Sequence, residues 1–289
     1  MVLKAKAAPS LHSTLVDGLE LAWAEWGDAS DPVLLLAHAT GFHGRCWDQI
    51  ARQMDGFRVI ALDLRGHGRS GRSSPIAWEQ FGRDVINFIL QLDLRSIIAV
   101  GHSFGSHCVV EAAARLPDRF TQIALIDPVI FAPPAYAEAR SGPHLGDSVA
   151  RRRSSWESPQ QMFEEFRDRA PFSTWQSDVL RDYCEFGLVP DDDHYELACA
   201  PLFESSIYGG AHDANIHNLI SKIDLPVTIV RAKSSGTDVA KRSFLASPTW
   251  PELAGAFKFG QDVYLPEYSH FIPMEDPQRI VSIIRQLSL

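Results

Sequence analysis

Short apolar runs alternate with stretches of helical spacing through the first half of the chain. The apolar runs are residues 33–37, 57–62, 97–100 and 120–126. Residues 33–37 form a continuous apolar run, as is typical of a strand buried on both faces, and the other runs are apolar apart from Arg58, Thr121 and Gln122. Residues 76–92 and 104–116 lie between them and have apolar side chains at helical spacing. Strands that alternate with helices form a parallel sheet covered on both faces, so the sequence predicts an α/β fold.

The alternation stops near Pro128. Residues 131–221 contain no clear strand, and several stretches in them have helical spacing. These stretches are residues 159–169, 177–186 and 191–203. The sequence therefore predicts a helical insertion over residues 131–221.

The sheet pattern resumes after the insertion. Two further strands and a helix are predicted at residues 227–230, 262–265 and 277–287. Near the N-terminus, Asp17-Gly18 separates two segments that alternate between apolar and polar residues, which indicates a hairpin. We expect residues 1–130 and 222–289 to form one α/β core that the insertion interrupts.

The overall charge excludes some classes of function. The 289 residues include 36 acidic and 27 basic side chains, a formal net charge of −9, whereas nucleic-acid-binding domains carry a basic face. No apolar run approaches the ~18 residues of a membrane span, and the N-terminus lacks the apolar centre of a signal peptide. The four cysteines show no metal-ligand spacing and indicate reduced thiols. We expect a soluble cytoplasmic protein without nucleic-acid or membrane partners.

The pentapeptide Gly101-His102-Ser103-Phe104-Gly105 follows a predicted strand and precedes a predicted helix. It matches G-x-S-x-G, in which the serine occupies a strained strand-to-helix turn and is exposed above the sheet edge. The glycines are needed because larger side chains would collide with the neighbouring strand and helix. The N-terminus of the following helix favours negative charge that develops on the serine oxygen.

Three further motifs accompany the pentapeptide: His38-Ala39-Thr40-Gly41-Phe42, the segment 63–70 (DLRGHGRS), and Ser269-His270-Phe271. With them the chain resembles the α/β-hydrolase family over essentially its whole length. The resemblance implies a mostly parallel eight-stranded sheet, with the insertion as a cap after the sixth strand. It also implies Ser103 as nucleophile, His270 as base, and the backbone N–H groups of Thr40 and Phe104 as an oxyanion hole. Ala39 stands where glycine is more usual.

His270 is also the best base on chemical grounds. A serine hydroxyl needs an adjacent base at neutral pH, and an imidazole, which titrates near pH 6.5, can take and return its proton. Of the eleven histidines, His270 lies on a loop at the carboxyl end of a predicted strand, where open α/β sheets bind ligands. His102 should point away from the serine, and His38 and His67 should brace their glycine-rich turns.

The triad acid has two candidates. The resemblance implies an acid after the strand that follows the insertion, but the usual position falls on Ser235, and Asp238 comes three residues late. A variant of the family places the acid one strand earlier, where Asp127 ends an apolar strand. We expect Asp127 to orient His270 and keep Asp238 as the alternative. Asp127 could instead be a turn-capping residue before Pro128.

These observations predict a serine hydrolase that cleaves carboxylic esters through an acyl-enzyme, without a cofactor or metal ion. The insertion is rich in aromatic residues, which favours a small-molecule substrate with a hydrophobic acyl or aromatic group. Thioester, lactone or carbon–carbon bond hydrolysis and acyl transfer use the same triad and stay open. An alternative of a different class is a small-molecule receptor without catalysis. The protein could be a monomer or a homodimer.

Overall fold

The computed structural model describes residues 8–73, 77–138, 145–234 and 245–287. Its strands are β1 (Ser10–Val16), β2 (Leu19–Trp26), β3 (Val33–Ala37), β4 (Arg58–Leu62), β5 (Ile97–His102), β6 (Phe120–Ile126), β7 (Ser155–Trp156), β8 (Leu188–Asp191), β9 (His194–Leu197), β10 (Val227–Ala232) and β11 (Gly260–Leu265). Within these ranges, eight strands form the central sheet in the order β1-β2-β4-β3-β5-β6-β10-β11.

The central sheet is antiparallel only at one side. Strand β2 pairs antiparallel with β1 and with β4, whereas the neighbours from β4 to β11 are parallel. This confirms the predicted α/β-hydrolase type of sheet. Because the carboxyl ends of parallel strands share one edge, the loops that follow β3, β5, β6 and β11 meet there.

The helices lie between the strands and after them. They are α1 (Asp48–Ala51), α2 (Trp78–Gln91), α3 (Phe104–Arg115), α4 (Ala135–Glu138), α5 (Leu145–Val149), α6 (Pro159–Phe166), α7 (Ser177–Phe186), α8 (Pro201–Gly210), α9 (His217–Ile220), α10 (Ile272–Glu275) and α11 (Pro277–Leu287). No helix in the described ranges is long and apolar enough to cross a membrane.

Strand β3 shows why the sheet is buried on both faces. All five of its residues are buried, and successive side chains point to opposite faces. Leu35 packs in a core with Phe81 of α2, whereas Leu34 packs in a second core with Ile50 of α1 and Ile280 of α11. The sheet is therefore covered by helices on each side, and its edge is fixed between two apolar cores.

The insertion is not wholly helical, so the prediction of no strand there was wrong. Strands β7, β9 and β8 form a small antiparallel sheet in that order. The predicted helix over residues 191–203 was also wrong, because β8 and β9 form a hairpin around Asp192, whose φ of 49° is left-handed. Strands of four residues or fewer are too short for their spacing to be told from that of a helix.

The insertion packs on the loops of the sheet edge. Its helices α6 and α7 place Phe163 and Tyr183 in one buried apolar cluster with Phe42, which follows β3, and Phe271, which follows β11. The insertion therefore lies over the edge where the predicted site residues are found. The division of the chain into a core domain and a cap domain stays a prediction.

Candidate active site

Ser103 lies in the turn between β5 and α3. Its backbone has φ 56° and ψ −119°, a strained region for a residue other than glycine. A Cβ atom on Gly101 would lie 2.5 Å from the Ser106 backbone nitrogen, and one on Gly105 would lie 2.5 Å from the His38 carbonyl oxygen. The predicted requirement for small flanking residues is thus confirmed. Ser103 is only 6% exposed, although the motif predicts an exposed serine, because His270 lies directly over its hydroxyl group.

His270 reaches Ser103 from the loop between β11 and α10. Its Nε2 is 2.9 Å from the Ser103 hydroxyl oxygen, and its Nδ1 is 2.6 Å from Oδ2 of Asp127. With the ring proton on Nδ1, facing the carboxylate, Nε2 is left to accept the hydroxyl proton. The structure therefore brings Ser103, His270 and Asp127 into one hydrogen-bonded series.

Asp127 is fully buried at the end of β6. Its Oδ1 accepts from the Ala232 N–H at 2.8 Å and from the Ser247 hydroxyl at 2.6 Å, and lies 3.3 Å from the Thr249 hydroxyl. One carboxylate oxygen is thus satisfied by neighbouring groups, and the other faces only His270 among the contacts described. The alternative acid, Asp238, lies outside the described residues, as does Ser235.

The loop after β3 is held by two neutral histidines. His38 Nε2 accepts from the Leu64 N–H at 3.0 Å, and His67 Nε2 accepts from the Gly41 N–H at 3.0 Å. Burial lowers the pKa of His67 to about 4 and that of His38 well below its ordinary value, so both rings stay uncharged and can accept. The prediction that these histidines brace their turns is confirmed.

Thr40 lies in this loop, and Phe104 is the first residue of α3. Both are buried where the loop contacts the helix. The His38 carbonyl oxygen lies against Gly105, the second residue of α3. Two backbone segments that could present N–H groups to a developing oxyanion therefore meet beside Ser103. The assignment of the Thr40 and Phe104 amides as these donors stays a prediction.

His102 has a structural contact that the sequence did not reveal. Its Nε2–H donates to the carbonyl oxygen of His270 at 2.9 Å, and the two rings lie 5.2 Å apart. Burial, together with the neighbouring His270, lowers the pKa of His102 to about 3, so the ring stays neutral. His102 therefore fixes the backbone of the loop that carries His270.

An aromatic cluster lines the junction between the loops and the insertion. The Phe42 ring lies 5.6 Å from Trp175, 5.4 Å from Tyr183 and 6.1 Å from Phe271. Since Phe42 belongs to the loop after β3 and Phe271 directly follows His270, this apolar surface adjoins the hydrogen-bonded series.

An ion pair between the half-buried Arg152 and the buried Glu204 also contacts the loop after β3. Nη2 of Arg152 lies 3.0 Å from Oε2 of Glu204. A Cβ atom on Gly41 would lie 2.6 Å from the Glu204 carboxyl carbon. Burial raises the pKa of Glu204, and Arg152 opposes that shift. The insertion thus places a charged group directly against the predicted oxyanion loop.

Among the described residues, one group could hold a metal ion. Asp191, His194 and Glu196 have ligand atoms within 4.8 Å of one another on the β8–β9 hairpin. Asp191 is exposed and the other two are half-buried, and the hydrogen-bonded series around Ser103 lies on different elements.

Comparisons with known proteins agree with this fold. A model of the alpha/beta hydrolase family matches residues 34–283. A bifunctional esterase/perhydrolase of Acinetobacter calcoaceticus is 31% identical over 140 residues, 46% of this chain and 48% of that protein. The chain spans about half the length of the first curated relatives it matches.

Two longer matches extend the comparison. A 3-oxoadipate enol-lactonase of Acinetobacter baylyi is 25% identical over 234 residues, 78% of this chain and 80% of that protein. The solved structure of E-2-(acetamidomethylene)succinate hydrolase has a TM-score of 0.79 at 21% identity and covers 97% of this chain and 99% of that chain. At 21% identity, this likeness supports the fold alone.

Proposed function

Because this chain belongs to the α/β-hydrolase family, we propose that it is a serine hydrolase that cleaves carboxylic esters through an acyl-enzyme. The proposal rests above all on the two contacts of His270, at 2.9 Å to the Ser103 hydroxyl and 2.6 Å to the Asp127 carboxylate. A nucleophile, a base and an orienting acid in hydrogen-bonded sequence are what acyl transfer requires.

In the first step, the Ser103 hydroxyl oxygen attacks the ester carbonyl carbon while Nε2 of His270 takes the hydroxyl proton. The ring then carries a positive charge, which the Asp127 carboxylate stabilises across 2.6 Å. The tetrahedral intermediate collapses when His270 returns the proton to the leaving alcohol. This leaves an ester between Ser103 and the acyl group.

The negative charge on the carbonyl oxygen needs two donors during this step. We assign them to the backbone N–H groups of Thr40 and Phe104, which come from the two segments that meet beside Ser103. The positive end of helix α3 favours the same charge. Loss of one such donor typically lowers turnover by about 10²–10³-fold.

In the second step, water attacks the acyl-enzyme. His270 takes a proton from the water and returns it to the Ser103 oxygen, which releases the acid and restores the enzyme.

The aromatic cluster around Phe42 supports a substrate with a hydrophobic acyl or aromatic group. Residues 131–221 would act as the cap that covers it, since their helices α6 and α7 pack on the loops that carry Thr40 and His270. The substrate is therefore proposed to bind between the sheet edge and this cap.

Lactone hydrolysis is the second candidate. It is favoured by the enol-lactonase, which matches most of the chain. Lactone opening uses the same attack by Ser103, with the leaving alcohol retained in the product. Thioester hydrolysis follows the same steps and is tested beside it. Carbon–carbon bond hydrolysis uses the same triad but returns the proton to a carbon leaving group, and it stays an alternative.

A panel of p-nitrophenyl esters, thioesters and lactones tests the proposal with purified protein. We expect hydrolysis of short p-nitrophenyl esters to be lost in Ser103→Ala and His270→Ala and retained in the control Ser221→Ala, an exposed position. Near-normal turnover in Ser103→Ala would overturn the proposed nucleophile. A bound ester that is not hydrolysed by the unmodified protein would favour a receptor.

A further inference from the structure

One segment contacts both the acid and the base of the hydrogen-bonded series. We name residues 245–250 the strap. The Leu245 carbonyl oxygen accepts from the backbone N–H of His270 at 3.1 Å. The Ser247 hydroxyl donates to Oδ1 of Asp127 at 2.6 Å. The strap therefore touches two residues that are 143 positions apart in the chain.

The hydroxyl groups of the strap are not equivalent. The Ser247 oxygen accepts from the Thr249 N–H at 3.2 Å, so its own proton is free to face Asp127. The Thr249 hydroxyl lies 2.8 Å from the Pro128 carbonyl oxygen and 3.3 Å from Asp127. One hydroxyl proton cannot serve both oxygens fully, and the shorter contact is to Pro128. Ser247 is therefore the main side-chain donor to the carboxylate.

Two backbone hydrogen bonds anchor the strap to the loops that follow β10 and β6. The Ser247 N–H donates to the Lys233 carbonyl oxygen at 3.0 Å, directly after β10, and the Trp250 N–H donates to the Ile130 carbonyl oxygen at 3.0 Å, shortly after β6. Ser247 is only 8% exposed. Its hydroxyl thus has a fixed position relative to the ends of two sheet strands.

Asp127 needs such support. Its φ of 43° is in the left-handed region, which favours glycine over residues with a side chain. A carboxylate with two equivalent oxygens can also rotate, and rotation would break the contact with the ring of His270. The Ala232 N–H at 2.8 Å and the Ser247 hydroxyl together occupy Oδ1 and leave Oδ2 for the ring.

From this geometry we infer that Ser247 is a positioning residue, which acts on the reaction by fixing the Asp127 carboxylate that orients His270. This rests on the proposed function. The Leu245 carbonyl oxygen holds the backbone of His270 from the same strap. Acid and base are thus held by one element rather than by their own strands alone.

Several other groups face Asp127 and His270, and a substitution of Ser247 leaves them unchanged. The neutral ring of His102 on β5 lies beside His270. On β10, the charged Arg231 acts electrostatically on Asp127. In α10, Glu275 accepts from the hydroxyl and the N–H of Ser269, next to His270.

Ser247→Ala tests the inference. Loss of a hydrogen bond to a charged group should lower kcat by about tenfold. KM for a p-nitrophenyl ester should stay unchanged within about twofold, because the buried Ser247 hydroxyl faces the Asp127 carboxylate. The carboxylate loses a donor and attracts the charged ring more strongly. The rising limb of the pH profile of kcat/KM should therefore move to higher pH by roughly half a unit.

A purely structural role for Ser247 would lower the fraction of folded enzyme without moving that limb. Ser282→Ala, whose hydroxyl donates to the Gln278 carbonyl on α11, is the matched control. Thr249→Val removes the weaker contact and should move the limb less than Ser247→Ala does. If Ser247→Ala does not fold, Ser247→Cys replaces the hydroxyl by a weaker donor of similar shape, and a limb in that variant identical to that of the unmodified protein contradicts the inference.

The hydrogen bond between Asp127 and His270 can also be observed without activity. The Nδ1–H proton should give a downfield ¹H resonance, and Ser247→Ala should shift it or broaden it. An unchanged resonance, with unchanged kcat and limb, overturns the positioning role. Absence of Ser103-dependent hydrolysis in the unmodified protein would instead overturn the proposed function, and the resonance would still test the role of Ser247.

Discussion

Replacing Asp127 by asparagine preserves the shape of the side chain and reverses its hydrogen bonding. Oδ1 accepts from the Ala232 N–H at 2.8 Å, a backbone donor that cannot turn away, and from the Ser247 hydroxyl at 2.6 Å. The amide oxygen of asparagine can replace Oδ1, whereas an NH2 group there would face two donors. The NH2 group of Asp127→Asn is therefore turned toward Nδ1 of His270.

The imidazole must then change its tautomer. Nδ1 has to accept from the NH2 group, so the ring proton moves to Nε2, which lies 2.9 Å from the Ser103 hydroxyl oxygen. An Nε2 that carries a proton cannot take one from Ser103. A triad base held in the wrong tautomer lowers kcat by about 10⁴-fold, which corresponds to roughly 5 kcal/mol of transition-state stabilisation.

Steady-state hydrolysis of p-nitrophenyl acetate measures this effect. We expect Asp127→Asn to lose about 10⁴-fold in kcat while its circular dichroism spectrum and Tm stay close to those of the unmodified protein. Asp238→Asn is the control, and we expect it to retain activity within about twofold, because Asp127 already holds Nδ1 of His270. A loss below tenfold in Asp127→Asn, or a larger loss in Asp238→Asn, would refute the reasoning.

Three further outcomes concern stability. Gly105→Ala brings a Cβ atom to 2.5 Å from the His38 carbonyl oxygen and should lower the free energy of unfolding by about 3 kcal/mol. Urea unfolding identical to that of the unmodified protein would contradict this close packing. Glu204→Ala leaves the half-buried Arg152 without its carboxylate partner. It should lower the free energy of unfolding by about 2 kcal/mol, less than the loss of one partner in a fully buried pair, and Glu204→Gln should lower it less. Equal unfolding midpoints in the two variants and the unmodified protein would contradict this. Burial holds the pKa of His67 at about 4, below its value of about 6.5 in the unfolded chain. Because the unfolded chain then binds more protons, the free energy of unfolding should fall as the pH drops from about 6.5 to about 4. A flat pH dependence of urea unfolding over that range would count against neutral buried histidines.

The sequence predicts the central strands of the sheet well because most of their side chains are apolar. Strand β3 has five buried residues and β6 is apolar along most of its length, so both begin and end where the apolar runs do. Strands β7, β8 and β9 have four residues or fewer, and β9 is half-buried along most of its length. Such short segments carry too little periodicity to be recognised as strands.

The candidate site also has residues that the sequence predicts and contacts that it does not predict. Local motifs locate Ser103 and His270, and the end of an apolar strand locates Asp127. The contacts of His102 and Ser247 join positions 168 and 120 residues apart. They depend on how β10, β11 and the strap are placed relative to β6, which no local pattern of residues specifies.

We propose that Ser103 is a nucleophile that His270 activates. Intact-protein mass spectrometry after exposure to a fluorophosphonate, followed by peptide mapping, tests this most directly. We expect one adduct per chain, on the peptide that contains Ser103, and much slower labelling in His270→Ala. Labelling of another residue, or labelling of Ser103 at the same rate in His270→Ala, would contradict it.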